Sequence, residues 1–216
     1  MTRIGFIGGT GPEGRGLAYR FALAGHEVVI GSRTPERGRE AAKKVADRAG
    51  SASVTGGENA VAARQAELMV LTVPFAAQAD TLPPLREACQ GKIVVSTAVP
   101  MQFDGGSPSM PVVPEGSAAE QAQALLPGAR VVGAFQNLGA AKLWEGDGSL
   151  DQDVIVCGDD ADAKREVTAL AEQIRGVRVV DGGPLASSRY VEGITALLVN
   201  INRRYKTLAG VRIVGV

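Results

Sequence analysis

Short apolar runs and amphipathic stretches alternate along most of the chain. The apolar runs cover residues 4–7, 27–30, 68–73, 92–96, 130–134, 153–157 and 178–180. Helix-like stretches lie between most of them, at residues 13–24, 35–48, 59–64, 76–88, 118–126, 161–174 and 186–209. Alternation of apolar strands with crossover helices is typical of a parallel sheet that is covered by helices. The pattern therefore predicts an α/β protein with a Rossmann-type, doubly wound and mainly parallel sheet.

Two segments depart from this alternation. Residues 99–116 contain four prolines and three glycines without helical or strand periodicity, which predicts a long loop. The last helix carries an apolar stripe wide enough to bury against the sheet or against a second subunit, formed by Ile194, Leu197, Leu198 and Ile201. A chain of 216 residues suits one main domain with a small appendage. We expect a Rossmann domain at residues 1–150 and a small C-terminal α/β extension at residues 151–216.

Composition narrows the possible partners and the compartment. The 23 basic residues balance the 23 acidic ones, so no global field attracts nucleic acid or an anionic membrane. A small-molecule partner is expected instead. No export signal or spanning segment of ~20 apolar residues is evident. Cys89 and Cys157 are interpreted as reduced core thiols of a cytoplasmic protein, because a disulfide between them would be uncommon in the cytosol.

A glycine-rich motif follows the first predicted strand and reads Gly9-Thr10-Gly11-Pro12-Glu13-Gly14. This G-x-G-x-x-G has a strand before it, a helix after it and a second strand close behind, which is the context of a dinucleotide site. Gly9 is expected to allow the tight turn, Gly11 to let the backbone approach a pyrophosphate, and Gly14 to permit close helix–strand contact. Unpaired N–H groups at the helix N-terminus would bind the phosphates. A purely structural glycine-rich turn is the alternative.

The end of the second strand indicates which nucleotide binds. Enzymes that use NAD place an acidic residue there to hold the ribose 2′-OH, whereas this chain has Ser32 and Arg33. A serine hydroxyl and a planar guanidinium both suit a 2′-phosphate. NADP is therefore predicted, with Arg37 one helical turn further on as an additional candidate.

Two later strand-to-helix turns should border the same site. Ligands in open α/β sheets bind outside the carboxyl ends of the strands. The turn after residue 71 contributes Thr72, Val73 and Pro74, and the turn after residue 96 contributes Val99 and Pro100. We expect both turns to line the cofactor and substrate cavity.

The chain resembles the NADPH-dependent reductases of the deazaflavin coenzyme F420 from residue 4 to about residue 202. The motifs that carry the resemblance are GGTGPEGRG, GHEVVIGSR, LTVPF, VSTAVP, VCGDD at residues 156–160 and GPLASSR at residues 183–189. The resemblance implies a Rossmann domain with a small C-terminal extension, commonly a homodimer, and reversible hydride transfer between NADP and the deazaflavin.

By this resemblance Thr10, Ser32, Arg33 and Arg37 hold NADP. Val99, Pro100 and residues 134–140 line the deazaflavin pocket, so Asn137 and Ala140 are expected near the cofactors and the C-terminal extension is expected to help form the pocket. The chain departs from the family at Gln136-Asn137, where a His is common, and at Gly139, where a Pro is common. Gln136 is expected to be a polar contact for the acceptor ring. Direct hydride transfer requires no side-chain nucleophile, so no general acid or base is assigned.

Two other functions remain open at this stage. The acceptor could be a free flavin or a ferric chelate, or the chain could be a non-catalytic NADP-binding redox sensor. The remaining polar residues favour structural roles: His26 in a surface turn, the acids at 159, 160 and 162 as helix caps and not a metal site, and Arg203, Arg204 and Lys206 facing water. Trp144 is expected in a loop, as part of a lid or a dimer contact.

Overall fold

A computed structural model describes residues 1–146 and 148–216. Among these residues, eight strands from all parts of the chain form one sheet, in the order β10-β9-β8-β5-β4-β1-β2-β3. The strands are β1 (Arg3–Ile7), β2 (Glu27–Ser32), β3 (Val54–Glu58), β4 (Leu68–Leu71), β5 (Ile93–Ser96), β8 (Arg130–Gly133), β9 (Gln152–Gly158) and β10 (Val177–Gly183). Strands β1 to β5 and β8 are mutually parallel. Strand β9 pairs antiparallel with β8, and β10 pairs parallel with β9. The predicted Rossmann-type α/β fold is confirmed.

Helices cover both faces of the sheet and create two separate hydrophobic cores. The described helices are α1 (Pro12–Leu23), α2 (Pro35–Ala49), α3 (Asn59–Gln65), α4 (Gln78–Thr81), α5 (Arg86–Cys89), α6 (Ala118–Leu125), α7 (Ala140–Trp144), α8 (Ala161–Ala171) and α9 (Ser188–Tyr205). Side chains of α1, α2, α7 and α8 fill the core on one face. Side chains of α3 and α6 fill the other core. Because six strands of the sheet are parallel, their carboxyl ends lie at one edge of the sheet, and ligand sites of such sheets form at that edge.

Three elements differ from the sequence expectation because their patterns are weak. Strand β3 was missed, since its sequence Val-Thr-Gly-Gly-Glu lacks an apolar run. The helix predicted at residues 76–88 is instead a series of single turns, α4 and α5 with two 3₁₀ turns, because Pro83 and Pro84 interrupt it. The predicted loop at 99–116 contains a short antiparallel hairpin of β6 (Gln102–Asp104) and β7 (Ser107–Ser109). Its turn has left-handed Gly105 and Gly106.

The expectation that His26 lies on the surface was wrong. Its ring is buried, with Nδ1 accepting from the Thr2 N–H at 3.1 Å and Nε2 paired with Gln173 Oε1 at 2.9 Å. The ring also meets Phe21 edge-on, with centroids 6.1 Å apart. The turn places the side chain inward because left-handed Gly25 reverses the chain just before it. His26 thus links the N-terminus of the chain to the turn that follows α8.

Two other structural expectations are confirmed, the acidic cap of α8 and the free thiols of the core. The Asp160 carboxylate caps α8 by accepting the Ala163 N–H at 2.7 Å. Both cysteines are free and buried. The expectation that Trp144 lies in a loop was wrong, because Trp144 is the last residue of α7 and its half-buried ring packs at a tilt against Tyr19, with ring centroids 5.6 Å apart. In the described part of the chain, no helix has the length and apolar character needed to cross a membrane.

Candidate nucleotide and acceptor site

The glycine-rich turn connects β1 to α1 at the carboxyl edge of the sheet. Its left-handed residue is Gly8, with φ of 76°, and not Gly9 as the motif suggested. A Cβ on Gly8 would clash with Cγ1 of Val73, and a Cβ on Gly9 would stand 2.6 Å from Cβ of Phe6. Both positions therefore require glycine, Gly8 for its conformation and Gly9 for its burial against β1.

The other two glycines of the motif differ from each other in their surroundings. A Cβ on Gly14 would stand 2.6 Å from Cα of Gly9 and 2.8 Å from Oγ1 of Thr72, so α1 approaches the turn as closely as expected. A Cβ on Gly11 would meet no protein atom within 4 Å. Gly11 is also the N-cap of α1, where unpaired N–H groups begin. The open space beside Gly11 is the approach that a pyrophosphate needs.

This contrast predicts different effects for two matched substitutions. Gly14→Ala should destabilise the fold by about 1–3 kcal/mol, because the added methyl group overpacks the turn. Gly11→Ala should leave stability unchanged and weaken NADPH binding, because its methyl group occupies only the nucleotide approach. Urea unfolding and fluorescence titration with NADPH measure the two effects. Equal loss of stability in both variants would contradict the assignment.

A cavity of about 390 Å³ opens beside this turn. It brings together eleven of the residues expected from sequence, Thr10, Gly11, Pro12, Glu13, Gly14, Ser32, Arg33, Arg37, Thr72, Val73 and Pro74. Four residues that sequence reasoning did not nominate complete the lining: Gly8, Asn59, Ala77 and Thr81. The turn, the end of β2 and the turn after β4 therefore form one site.

The cationic side of the cavity lies at the end of β2. Ser32 is buried there, and the side chains of Arg33 and Arg37 are exposed. Among the described residues, neither guanidinium forms a salt bridge, in contrast to Arg39, which pairs with Glu36 at 2.9 Å. Two guanidiniums without salt bridges beside a serine hydroxyl match the donor set that a phosphate dianion requires.

Glu13 is an acid at the N-terminus of α1 and lines the same cavity. Its Oε1 is buried without a hydrogen-bond partner, although the residue as a whole is partly exposed. Burial raises the pKa of Glu13 to about 8. The carboxyl group is therefore mainly neutral at pH 7 and places little negative charge beside a bound phosphate.

Asn59 was missed because it follows β3, the strand that sequence reasoning did not find. It is the first residue of α3, and its Oδ1 accepts the Gly8 N–H at 3.0 Å. A strand assignment at residues 54–58 would have placed its side chain at the carboxyl edge of the sheet.

A second polar region lies at the end of β8, away from the lining of this cavity. Gln136 is buried, and both polar atoms of its side chain have no hydrogen-bond partner. A Cβ on Gly133 would stand 3.1 Å from Gln136 Nε2 and would clash with Oγ of Ser188. Asn137 Nδ2 donates to Val191 O at 2.9 Å and to Thr195 Oγ1 at 3.0 Å, while its Oδ1 has no partner.

The remaining residues expected at the acceptor also lie outside the lining of the 390 Å³ cavity. Val99 is half-buried and Pro100 buried, just after β5, and Ala140 is the first residue of α7. The structure thus brings the nucleotide residues together in one cavity but does not join the acceptor residues to it.

Helix α9 is tied to the start of α6 by a buried carboxylate. Glu192 is fully buried and accepts the N–H groups of Ala118 at 2.9 Å and Ala119 at 3.2 Å. Burial raises the pKa of Glu192 to about 7, although these hydrogen bonds partly oppose the shift. Arg189, of the GPLASSR motif, pairs with Glu120 of α6 at 3.2 Å. The C-terminal helix therefore holds the segment that follows the long loop.

The glycine-rich turn at a helix N-terminus, the adjoining cavity and its cationic end define a dinucleotide-binding protein of the Rossmann class. Comparisons with known proteins specify this class further. The family model described as "NADP oxidoreductase coenzyme F420-dependent" matches residues 3–100. The F420-dependent NADP reductase of Methanocaldococcus jannaschii is 41% identical over 98% of this chain and 97% of its own length. The reductase of the same name from Methanothermobacter thermautotrophicus is 43% identical over 99% and 95%.

A solved structure agrees with these relatives. A candidate F420-dependent NADP reductase from Arthrobacter sp. FB24 superposes with a TM-score of 0.86 at 29% identity, covering 100% of both chains. The chain belongs to the coenzyme F420-dependent NADP oxidoreductase family, and it is an NADP-dependent oxidoreductase. The family resemblance seen in the sequence motifs is confirmed.

Proposed function

We propose that this protein transfers a hydride reversibly between NADP(H) and coenzyme F420. The observation that carries the NADP half is the cavity that unites the glycine-rich turn with Ser32, Arg33 and Arg37. The F420 half is supported by the relatives, which are named F420-dependent NADP reductases and align over nearly the whole chain.

In this proposal the chain binds NADP at its phosphates and ribose. The α1 N-terminus, with Thr10 and Gly11, binds the pyrophosphate. Ser32, Arg33 and Arg37 bind the 2′-phosphate. The turn formed by Thr72, Val73 and Pro74 lies further along the cavity and borders the nicotinamide.

The acceptor pocket is proposed at the ends of β5 and β8. Val99, Pro100 and residues 134–140 line it, and the unpartnered amide of Gln136 donates to a carbonyl oxygen of the deazaflavin ring. The C-terminal extension at residues 151–216 supports this pocket, because Val191 and Thr195 hold the Asn137 amide. The chain contributes binding, orientation and exclusion of water, since the hydride passes directly between the two rings when both are bound.

Stopped-flow absorbance tests this proposal. Purified protein and NADPH are mixed with oxidised coenzyme F420 in one experiment and with FMN in another. Rapid bleaching of F420 alone is the expected result. Bleaching of FMN alone would indicate a flavin reductase, whereas tight NADPH binding without turnover of any acceptor would indicate a redox sensor. Either result would overturn the proposal.

We also propose that the protein is a cytoplasmic homodimer that forms through α9. Three large side chains of this helix are exposed along its length, Tyr190 by 72%, Leu197 by 58% and Tyr205 by 69%. The hairpin that contacts α9 adds Phe103, which is 53% exposed and lies under the Arg203 guanidinium at 5.0 Å from its ring centroid. Large exposed apolar side chains grouped in this way favour a protein contact. The two free cysteines agree with a reducing compartment.

Leu197→Lys is expected to shift the protein from dimer to monomer, because it places a charge in the centre of this apolar surface. Sedimentation velocity at several protein concentrations measures the change. Leu23→Lys, at an exposed position near the end of α1, is the control and should not alter the oligomeric state. A monomeric wild-type protein would refute the dimer without affecting the proposed reaction.

A further inference from the structure

Asn59 connects the ends of three neighbouring strands. It follows β3 directly, its Oδ1 accepts the N–H of Gly8 after β1, and it lies against Gly31 of β2. It is 9% exposed and lines the nucleotide cavity. We propose that Asn59 has two functions toward NADP: its Oδ1 positions Gly8 of the glycine-rich turn, and its Nδ2 donates to an oxygen in the adenosine half of the bound nucleotide. This inference rests on the proposed NADP function.

The positioning function follows from the conformation of Gly8. Gly8 has a φ of 76°, and Val73 crowds the space beside it, so it lies where the turn has little freedom to relax. Its N–H is bound by Asn59 and by no other acceptor among the described residues. The next residue is anchored in a different way, since the Gly9 N–H donates to Gly31 O at 3.0 Å. Asn59 and β2 therefore each hold one residue of the turn against the sheet.

The orientation of the Asn59 amide follows from its partner. A backbone N–H can only donate, so the oxygen of the amide must face Gly8 and the nitrogen must face away from it. In the described part of the chain, Asn59 Nδ2 forms no hydrogen bond. Asn59 follows Glu58, which pairs with Ser32 in the β2–β3 register, and it lines the same cavity as Ser32 and Arg33. This donor therefore belongs to the part of the cavity where the 2′-phosphate is proposed to bind.

The end of β2 is shaped to admit Asn59. A Cβ on Gly31 would stand 2.8 Å from Asn59 Oδ1, 3.0 Å from Asn59 Cα and 2.7 Å from Phe6 O. Gly31 is therefore a site of close approach, and any side chain there would displace Asn59. The close approach of Asn59 therefore explains why a glycine precedes Ser32, which the dinucleotide motif alone does not explain.

Two substitutions separate the two functions. Asn59→Ala removes both the acceptor and the donor, so it should weaken NADPH binding about tenfold or more and accelerate hydrogen exchange at the Gly8 amide. Asn59→Asp keeps an acceptor for Gly8 but replaces the donor with an anionic oxygen. It should retain protection of the Gly8 amide and weaken NADPH binding at least tenfold more than NADH binding, because only NADPH carries the 2′-phosphate.

Dissociation constants from fluorescence titration and hydrogen–deuterium exchange with mass spectrometry test the inference. Arg64→Ala, an exposed position on the same helix, is the matched control and should match wild type in both assays. NADPH binding by Asn59→Ala within twofold of wild type would overturn the inference. Equal losses of NADPH and NADH binding in Asn59→Asp would also overturn it. If Asn59→Ala does not fold, the measurement on Asn59→Asp decides the question alone.

The same titrations distinguish this inference from the proposed function. Wild-type protein that does not bind NADPH would refute both. Wild-type protein that binds NADPH and reduces F420, together with unaffected Asn59 variants, would refute only the two functions assigned to Asn59.

Discussion

Arg33→Ala is expected to weaken NADPH binding by about 10- to 100-fold while changing NADH binding little. Arg33 lines the nucleotide cavity beside Ser32 and forms no salt bridge among the described residues, so its guanidinium is available for the 2′-phosphate. A hydrogen bond to a charged group contributes about 1.5–3 kcal/mol, which corresponds to a change of this size in the dissociation constant. NADH lacks the phosphate and loses no such contact.

Fluorescence titration of wild type and variant with both nucleotides measures this change in selectivity. Arg39→Ala is the matched control, because Arg39 lies on the same helix as Arg37, is exposed and is already paired with Glu36. Its selectivity should equal that of wild type. Equal losses for NADPH and NADH in Arg33→Ala would show that Arg33 does not recognise the 2′-phosphate.

The free energy of unfolding of Glu192→Gln is expected to increase relative to that of wild type as the pH rises. The pKa of Glu192 is raised from 4.5 to about 7 in the folded protein, mainly by burial. The stability that this group contributes is therefore fully present below about pH 4.5 and is lost as the pH rises through 7. Glutamine does not ionise, so the difference in unfolding free energy should move in its favour by up to about 3 kcal/mol between pH 4.5 and pH 8.5.

Urea unfolding of the two proteins across this pH range provides the measurement. Contributions from Glu13, whose raised pKa lies in the same window, cancel because both proteins contain it. Glu120 lies near enough to raise the pKa of Glu192, and it is itself paired with Arg189. A difference in unfolding free energy that stays constant with pH would show that Glu192 does not ionise in this window.

Glu192 also links stability to the proposed acceptor pocket. It binds two N–H groups at the start of α6, which follows the loop at residues 99–116, while Val191 and Thr195 of the same helix hold Asn137. Ionisation of one buried group is thus connected to both segments that are proposed to line the pocket. The polar residues of α9 on its buried side serve this attachment, and its exposed apolar residues are left for the proposed dimer contact.

Local sequence was sufficient to predict most of the sheet and most of the residues that line the cavity at its carboxyl edge. Seven of the strands are short apolar runs, and such runs can be recognised without knowledge of their neighbours. Elements with weak local patterns were missed, as β3 shows, because Gly56 and Gly57 take the place of apolar side chains. A Cβ on Gly56 would clash with the Gly38 carbonyl oxygen of α2, so Gly56 permits a tertiary contact that sequence periodicity does not reveal.

By itself, the sequence determined the fold class, the position of the dinucleotide turn and the preference for NADP, because these depend on residues close together in the chain: the glycines at 9, 11 and 14, and Ser32 with Arg33. Tertiary structure decided which glycine takes the left-handed conformation, that His26 is buried, that Asn59 holds the turn, and that Glu192 joins α9 to α6. Each of these depends on groups far apart in the chain, 24 positions in the pair Thr2–His26, 147 in His26–Gln173, 51 in Gly8–Asn59 and 74 in Ala118–Glu192. Contacts over such separations are set by how strands and helices pack, and a local pattern contains no information about them.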